Sequence, residues 1–311
     1  MRLFDLHCDT PRYIKDNAQQ LSTSEGHVSL QKAEFISPFI QVAAIWCTFD
    51  SIEKAHSVFN ETIQSFDNEC KLNNCDIIKT ADELKNSIER QENGQSRAGF
   101  IYCIEDCGFI TSTDVLHKVY DRGVRILIPM WGKTNSLGAS HEAEGGLTDL
   151  GKYILDEAAR IGMILDISHA SVKSASQIMD IAEKYSSPVI ASHSNSRGRF
   201  NHTRNLYTDQ IKRLISLGGI IGHSLCPWHL SESGDADVTT VMENIESLIY
   251  DAGEDNICFG CDLDGTDLPH GFKDITSLNT ICDRLSHRFS PQIADKIQFT
   301  NALTKFQQFL K

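Results

Sequence analysis

The 311-residue sequence predicts an α/β fold, a single (β/α)8 TIM barrel. Three observations predict it. Eight short apolar runs, each ending near a polar residue, follow one another along the chain. Segments of helical periodicity lie between them, and no linker or low-complexity stretch interrupts the alternation. An open doubly wound sheet is the competing arrangement, but no G-x-G-x-x-G follows the first run, which counts against a dinucleotide-binding fold.

The runs are Leu3–Asp9, Phe39–Phe49, Ala98–Asp106, Val124–Trp131, Met163–His169, Pro188–Ser194, Gly219–Leu225 and Ile257–Gly265. Several are nearly continuous in Val, Ile, Leu and Ala, as strands buried on both faces should be. Among the helical segments, Ile154, Leu155, Ala158, Ala159 and Ile161 form one apolar face, and Ile211, Leu214, Ile215 and Leu217 form another. Thr148-Asp149 and Thr208-Asp209 are start signals for these two helices, and Gly162 and Gly218 are stop signals. Residues 51–97 read as a helical insertion, with Phe59, Ile63 and Phe66 on one stripe. A tail helix at about 291–310 is expected to close the outer helical ring. The whole of 1–311 then forms one catalytic-size domain.

With 29 Lys+Arg against 42 Asp+Glu, the net charge is −13. That field repels phosphate backbones and anionic lipid, so neither nucleic acid nor a membrane surface is an expected partner. No apolar window is long enough to span a bilayer, and no signal peptide is visible at Met1-Arg2-Leu3-Phe4-Asp5. The ten cysteines show no scaffold spacing, so a cytoplasmic protein with reduced thiols is expected. A homodimer is left open.

Metal-binding residue types gather at the ends of the apolar runs: His7-Cys8-Asp9, Glu105-Asp106, Ser168-His169, Ser192-His193-Ser194 and Asp262-Leu263-Asp264. On a strand, positions i and i+2 share a face, so His7 and Asp9 point together and Cys8 points away. A barrel brings all eight strand ends to one mouth. Three imidazoles and several carboxylates meeting there suit one or two divalent cations with nitrogen and oxygen ligands, zinc first among them. Each piece alone is a common structural feature; burying so many ionisable groups together without a cation would cost several kcal/mol per unpaired charge.

These segments resemble the renal-type (membrane) dipeptidases of the amidohydrolase superfamily, nearly end to end. The resemblance is carried by Asp5-Leu6-His7-Cys8-Asp9-Thr10, Ile104-Glu105-Asp106, Gly146-Leu147-Thr148-Asp149-Leu150-Gly151 and Gly162 to Ser171. It continues through Pro188 to Ser194, Arg204-Asn205-Leu206 and Gly260-Cys261-Asp262-Leu263-Asp264-Gly265. It implies a metallopeptidase with two zinc ions that hydrolyses dipeptides, often tolerating a C-terminal D-residue, by a metal-activated hydroxide. His7 and Asp9 would bind one zinc, His169 and His193 the other, and Glu105 both. Asp262 matches the family's general acid/base. Arg204 matches the residue that holds the substrate carboxylate, which a guanidinium can do through two parallel N–H bonds. Asn205 beside it, and Trp131, are the other candidate substrate-binding residues.

One departure stands out. Where better-known members carry a histidine after the fourth strand, this chain has Trp131, a donor that cannot carry charge. His141 and His223 are alternative imidazoles, each expected to be a loop or strand residue without a catalytic role. The segment Gly222-His223-Ser224-Leu225-Cys226-Pro227-Trp228 also differs from the family pattern, which leaves substrate identity open. Cys258-x-x-Cys261 is read as neither a redox pair nor a zinc clip, since i and i+3 on a strand face opposite sides. Hydrolysis of another small amide, lactone or ester is the alternative activity, and a non-catalytic metal-binding barrel the alternative class.

Overall fold

The computed structural model describes residues 1–311. Nine parallel strands form one sheet: β1 (Leu3–Cys8), β2 (Phe39–Trp46), β3 (Asp76–Ile77), β4 (Gly99–Glu105), β5 (Val124–Ile128), β6 (Ile164–Asp166), β7 (Val189–Ile190), β8 (Ile221–His223) and β9 (Ile257–Phe259). Eight of them run in the order β7-β6-β5-β4-β2-β1-β9-β8. The two ends meet at Ala191 and Ile221: Ala191 N donates to Ile220 O at 3.0 Å, and Gly222 N donates to Ala191 O at 2.8 Å. That contact closes the cylinder, and the fold is a (β/α)8 barrel.

The side chains divide as a barrel requires. Alternate positions such as Phe4, Leu6, Ile40, Val42, Ile101 and Ile126 fill the interior, while their neighbours, such as Leu3, Phe39, Ala43 and Leu127, belong to the outer core beneath the helices. The helices are α1 (Thr10–Asp16), α2 (Ile52–Leu72), α3 (Ala81–Glu92), α4 (Thr113–Asp121), α5 (Asp149–Arg160), α6 (Val172–Tyr185), α7 (Thr208–Ser216), α8 (Val238–Ala252), α9 (Leu278–Arg288), α10 (Pro291–Asp295) and α11 (Asn301–Phe309). Local chemistry sets their ends. Thr148 caps α5 by accepting from Gly151 N at 2.9 Å, and Gly162 and Gly218 leave α5 and α7 at φ of +86° and +82°. No helix is long and apolar enough to cross a membrane.

Two elements differ from the sequence reading. The segment 51–97 is not wholly helical, because β3 lies between α2 and α3 and pairs with Gly99 and Phe100 of β4. It takes the stretch of β4 edge that β5, whose pairing starts at Tyr102, leaves free. The tail does not join the outer ring. Phe299, Ala302, Phe306 and Phe309 pack into the interior cluster, with the Phe306 ring 4.9 Å from that of Phe4 near the start of β1. An apolar helix face thus plugs the floor of the barrel, and helical periodicity alone could not distinguish floor from flank.

Candidate metal centre

The ionisable residues cluster at the opposite end, some on the last strand positions and some beyond the ladders. Glu105 is the final residue of β4, His169 and His193 lie three residues past β6 and β7, and Asp262 lies three past β9. His7 is re-aimed by a bulge. Pairing advances from Asp5↔Gln41 to Cys8↔Ala43, so β1 spends one residue more than β2. Cys8 then turns into the outer core, and Asp9 precedes α1 with its side chain free for the mouth. Asp106, His169, Asp262 and Asp264 adopt left-handed backbone conformations, with φ between +62° and +66°. Non-glycine residues held so at one rim are the strain that a site imposes on its scaffold.

Glu105 Oε1 is the hub. It lies 2.9 Å from His169 Nε2, 3.4 Å from His193 Nε2 and 3.8 Å from His7 Nε2. His7 Nε2 is also 3.4 Å from Asp9 Oδ2 and 3.9 Å from Asp262 Oδ1. The Nε2 atoms of His169 and His193 approach within 2.9 Å. None of the contacts to Glu105 Oε1 is aligned as a hydrogen bond, and both ring nitrogens of buried His7 are without a partner. Short distances without donor alignment are the geometry of ligands aimed at common points. Two overlapping groups result, His7/Glu105/His193 and His7/Asp9/Asp262. Gly265 completes the cradle, since a Cβ there would collide with Asp9 Oδ2 and Asp262 Oδ1. The donor set therefore fits divalent cations with nitrogen and oxygen ligands.

The electrostatics agree. Burial foremost raises the Glu105 carboxyl well above its ordinary range, and Asp9 and Asp262 add to this while His7 opposes it. Burial works against a charge on His7, yet Glu105 and Asp9 hold its pKa well above the ordinary value, so the carboxylates favour positive charge at this spot. Burial and neighbouring cationic groups keep His169 and His193 neutral, the form that ligates a metal. The Asp262 carboxyl is raised to about 7, by burial first.

A second layer orients these groups. Ser192 Oγ lies 2.8 Å from His193 Nδ1 and fixes that ring, while the Arg204 Nε stands 3.1 Å from His169 Nδ1, packed against the far edge of the ring. Two fully buried carboxylates fasten strand ends to one another. Asp5 accepts from Cys261 N and from Gln41 Nε2, each at 2.8 Å, and Asp166 accepts from Ser168 N at 2.8 Å and Ser192 N at 3.2 Å.

The remaining candidates separate. Arg204 is enclosed and is not among the residues lining the cavity above the cluster, its Nη1 donating to Ser194 Oγ at 3.2 Å and its Nη2 to His193 O at 3.0 Å. Trp131 lines the cavity above the cluster, edge-on to Trp46 with ring centroids 5.1 Å apart. Asn205 does not reach that cavity. Its amide donates to Phe200 O and His229 O and fastens the loop that carries Arg204, a role its neighbourhood to Arg204 in sequence conceals. His141 sits at the rim, its ring 5.8 Å from that of His169, and His223 is buried on the parity of Ile221, facing the outer core. The cavity, about 320 Å³, is also lined by Asp264, which the strand-end pattern includes, and by Arg12, Tyr13, Asp16 and Trp46, none singled out by sequence motif as a site residue. The available signal was position: Arg12 and Tyr13 follow Asp9 within one helical turn, and Trp46 ends β2.

Comparisons with known proteins agree along the chain. The family model for membrane dipeptidases, peptidase family M19, matches residues 1–309. Dipeptidase tcpJ of Claviceps purpurea is 24% identical over 309 residues, covering 93% of this chain and 71% of its own. Dipeptidase 3 of Mus musculus is 29% identical over 215 residues, covering 66% of this chain and 43% of its own, so the match spans less than half of that relative. Two solved structures superpose over 100% of this chain and 99% of theirs with a TM-score of 0.89. One is dipeptidase AC, a metallo peptidase of family M19, at 22% identity; the other is a metallo peptidase from Rhodobacter sphaeroides liganded with a phosphinate mimic of the dipeptide L-Ala-D-Ala, at 21%. With the family model spanning every strand end that supplies the cluster, the chain belongs to the membrane dipeptidase family, peptidase family M19, among the peptide-bond hydrolases.

Proposed function

We propose that this protein is a zinc-dependent dipeptidase that holds two zinc ions, one by His7 and Asp9 and one by His169 and His193, with Glu105 shared between them. The observation that carries this reading is the single oxygen, Glu105 Oε1, within 3.8 Å of three imidazole Nε2 atoms. Zinc is favoured over magnesium or calcium because those cations prefer all-oxygen ligands. When bound, such a pair lowers the pKa of a water towards neutrality and polarises the scissile carbonyl.

The chain's own groups do the rest. Asp262, with a carboxyl near pH 7 and an oxygen at the edge of the cluster, accepts the proton of the attacking water and returns it to the leaving amine. Arg204 spends one N–H from each Nη on the protein, which leaves one on each Nη for the substrate's terminal carboxylate. Trp131 and Trp46 shield one side of the cavity, whose 320 Å³ suits a dipeptide rather than a long peptide. The dipeptide mimic bound by the Rhodobacter enzyme of the same fold supports small dipeptides, including those with a D-residue at the C-terminal position.

The test is elemental analysis of the purified protein followed by a screen of L,L and L,D dipeptides. About two zinc equivalents and dipeptide hydrolysis that chelation abolishes are expected. Full activity after metal removal would overturn the mechanism, and turnover of lactones or esters but of no dipeptide would overturn the substrate class.

A further inference from the structure

The cavity is lined by one arginine, Arg12, whose role the dipeptidase reading leaves unassigned. Arg12, in the first turn of α1, is immobilised on two sides: its Nε donates to Asp16 Oδ2 at 2.6 Å, and its Nη1 donates to Trp46 O at 3.1 Å. Its guanidinium carbon lies 5.5 Å from the ring centroid of Trp46 and 5.2 Å from that of Phe49, so aromatic faces fix its plane. The side chain is 16% exposed and lines the cavity, yet Nη2 makes no hydrogen bond within the protein. Asp16, at 44% exposure, lies further out and is also 3.9 Å from Lys15 Nζ. A rigid guanidinium with a free Nη2 is a preorganised receptor for a carboxylate.

Its position decides which carboxylate. Arg204 stands behind His169 and His193 on the β6–β7 side of the cluster, whereas Arg12 stands on the β1–β2 side. With the terminal carboxylate on Arg204 and the scissile carbonyl at the metal cluster, the N-terminal residue of a dipeptide is left to the cavity that Arg12 lines. We infer that Arg12 is a specificity-determining residue that binds an acidic side chain, aspartate or glutamate, on the N-terminal residue of the dipeptide. The inference rests on the dipeptidase reading and adds the substrate's side-chain class.

The experiment compares L-Glu-L-Ala with L-Gln-L-Ala, which differ in charge but hardly in shape, on the zinc-loaded enzyme. The wild-type protein should favour the glutamyl substrate by roughly tenfold in kcat/KM, chiefly through KM, as expected for a charge-assisted pair. In Arg12→Met the ratio should fall to near one, and Arg12→Glu should favour L-Lys-L-Ala instead. A wild-type enzyme that treats the two substrates alike, or an Arg12→Met variant that keeps the wild-type ratio, would overturn the assignment while leaving a dipeptidase in place. An enzyme that cleaves no dipeptide would overturn both readings.

Discussion

The two ends of this barrel are built on opposite terms. The floor is dominated by aromatic packing: Phe4, Phe299, Phe306 and Phe309 meet where the tail enters the interior. The mouth buries His7, Asp9, Glu105, His169, His193 and Asp262 side by side and bends four non-glycine residues into the left-handed region. Close-packed aromatic burial stabilises, whereas backbone strain costs on the order of 1–3 kcal/mol per residue and an unpaired buried charge several kcal/mol. Stability is concentrated at one end so that the other can hold a reactive arrangement.

This contrast can be broken from either side. Asp262→Asn keeps the shape and tolerates a left-handed backbone, so it should lower kcat by roughly 10²–10⁴-fold while Tm and metal content stay at or above wild-type values. A fall in Tm with unchanged kcat would reverse the assignment of the mouth. Phe306→Ala should cost about 3–5 kcal/mol of stability, read by denaturant titration, without changing zinc stoichiometry. Loss of metal from that variant below its unfolding transition would show that floor and mouth are coupled. The smallest effect belongs to the second layer: Ser192→Ala removes the partner of His193 Nδ1 and should weaken metal affinity by about 10–100-fold, measured by competition with a chelator. An unchanged affinity would mean that packing alone orients the His193 ring.

Much of this plan is legible along the chain. The eight apolar runs are plain because strands of a closed parallel sheet are buried on both faces, and ligand-type residues end those runs because barrel sites form where strands stop. Their polar tails read as strand, but His169, His193 and Asp262 lie beyond the ladders, and the β1 bulge has no signature in composition. Arg12 and Trp46 carry no motif. They matter because α1 and the end of β2 fold back over one cavity.

What the sequence by itself determined is the alternation of strands and helices, the order of the ionisable residues and the family they resemble, since these follow from periodicity and residue type. Only the tertiary structure decided that the tail plugs the floor, that Glu105 serves three imidazoles at once, and that Asn205 holds a loop rather than facing the cavity. Such outcomes depend on which distant segments share a volume, and no local pattern encodes a distance between residues a hundred positions apart.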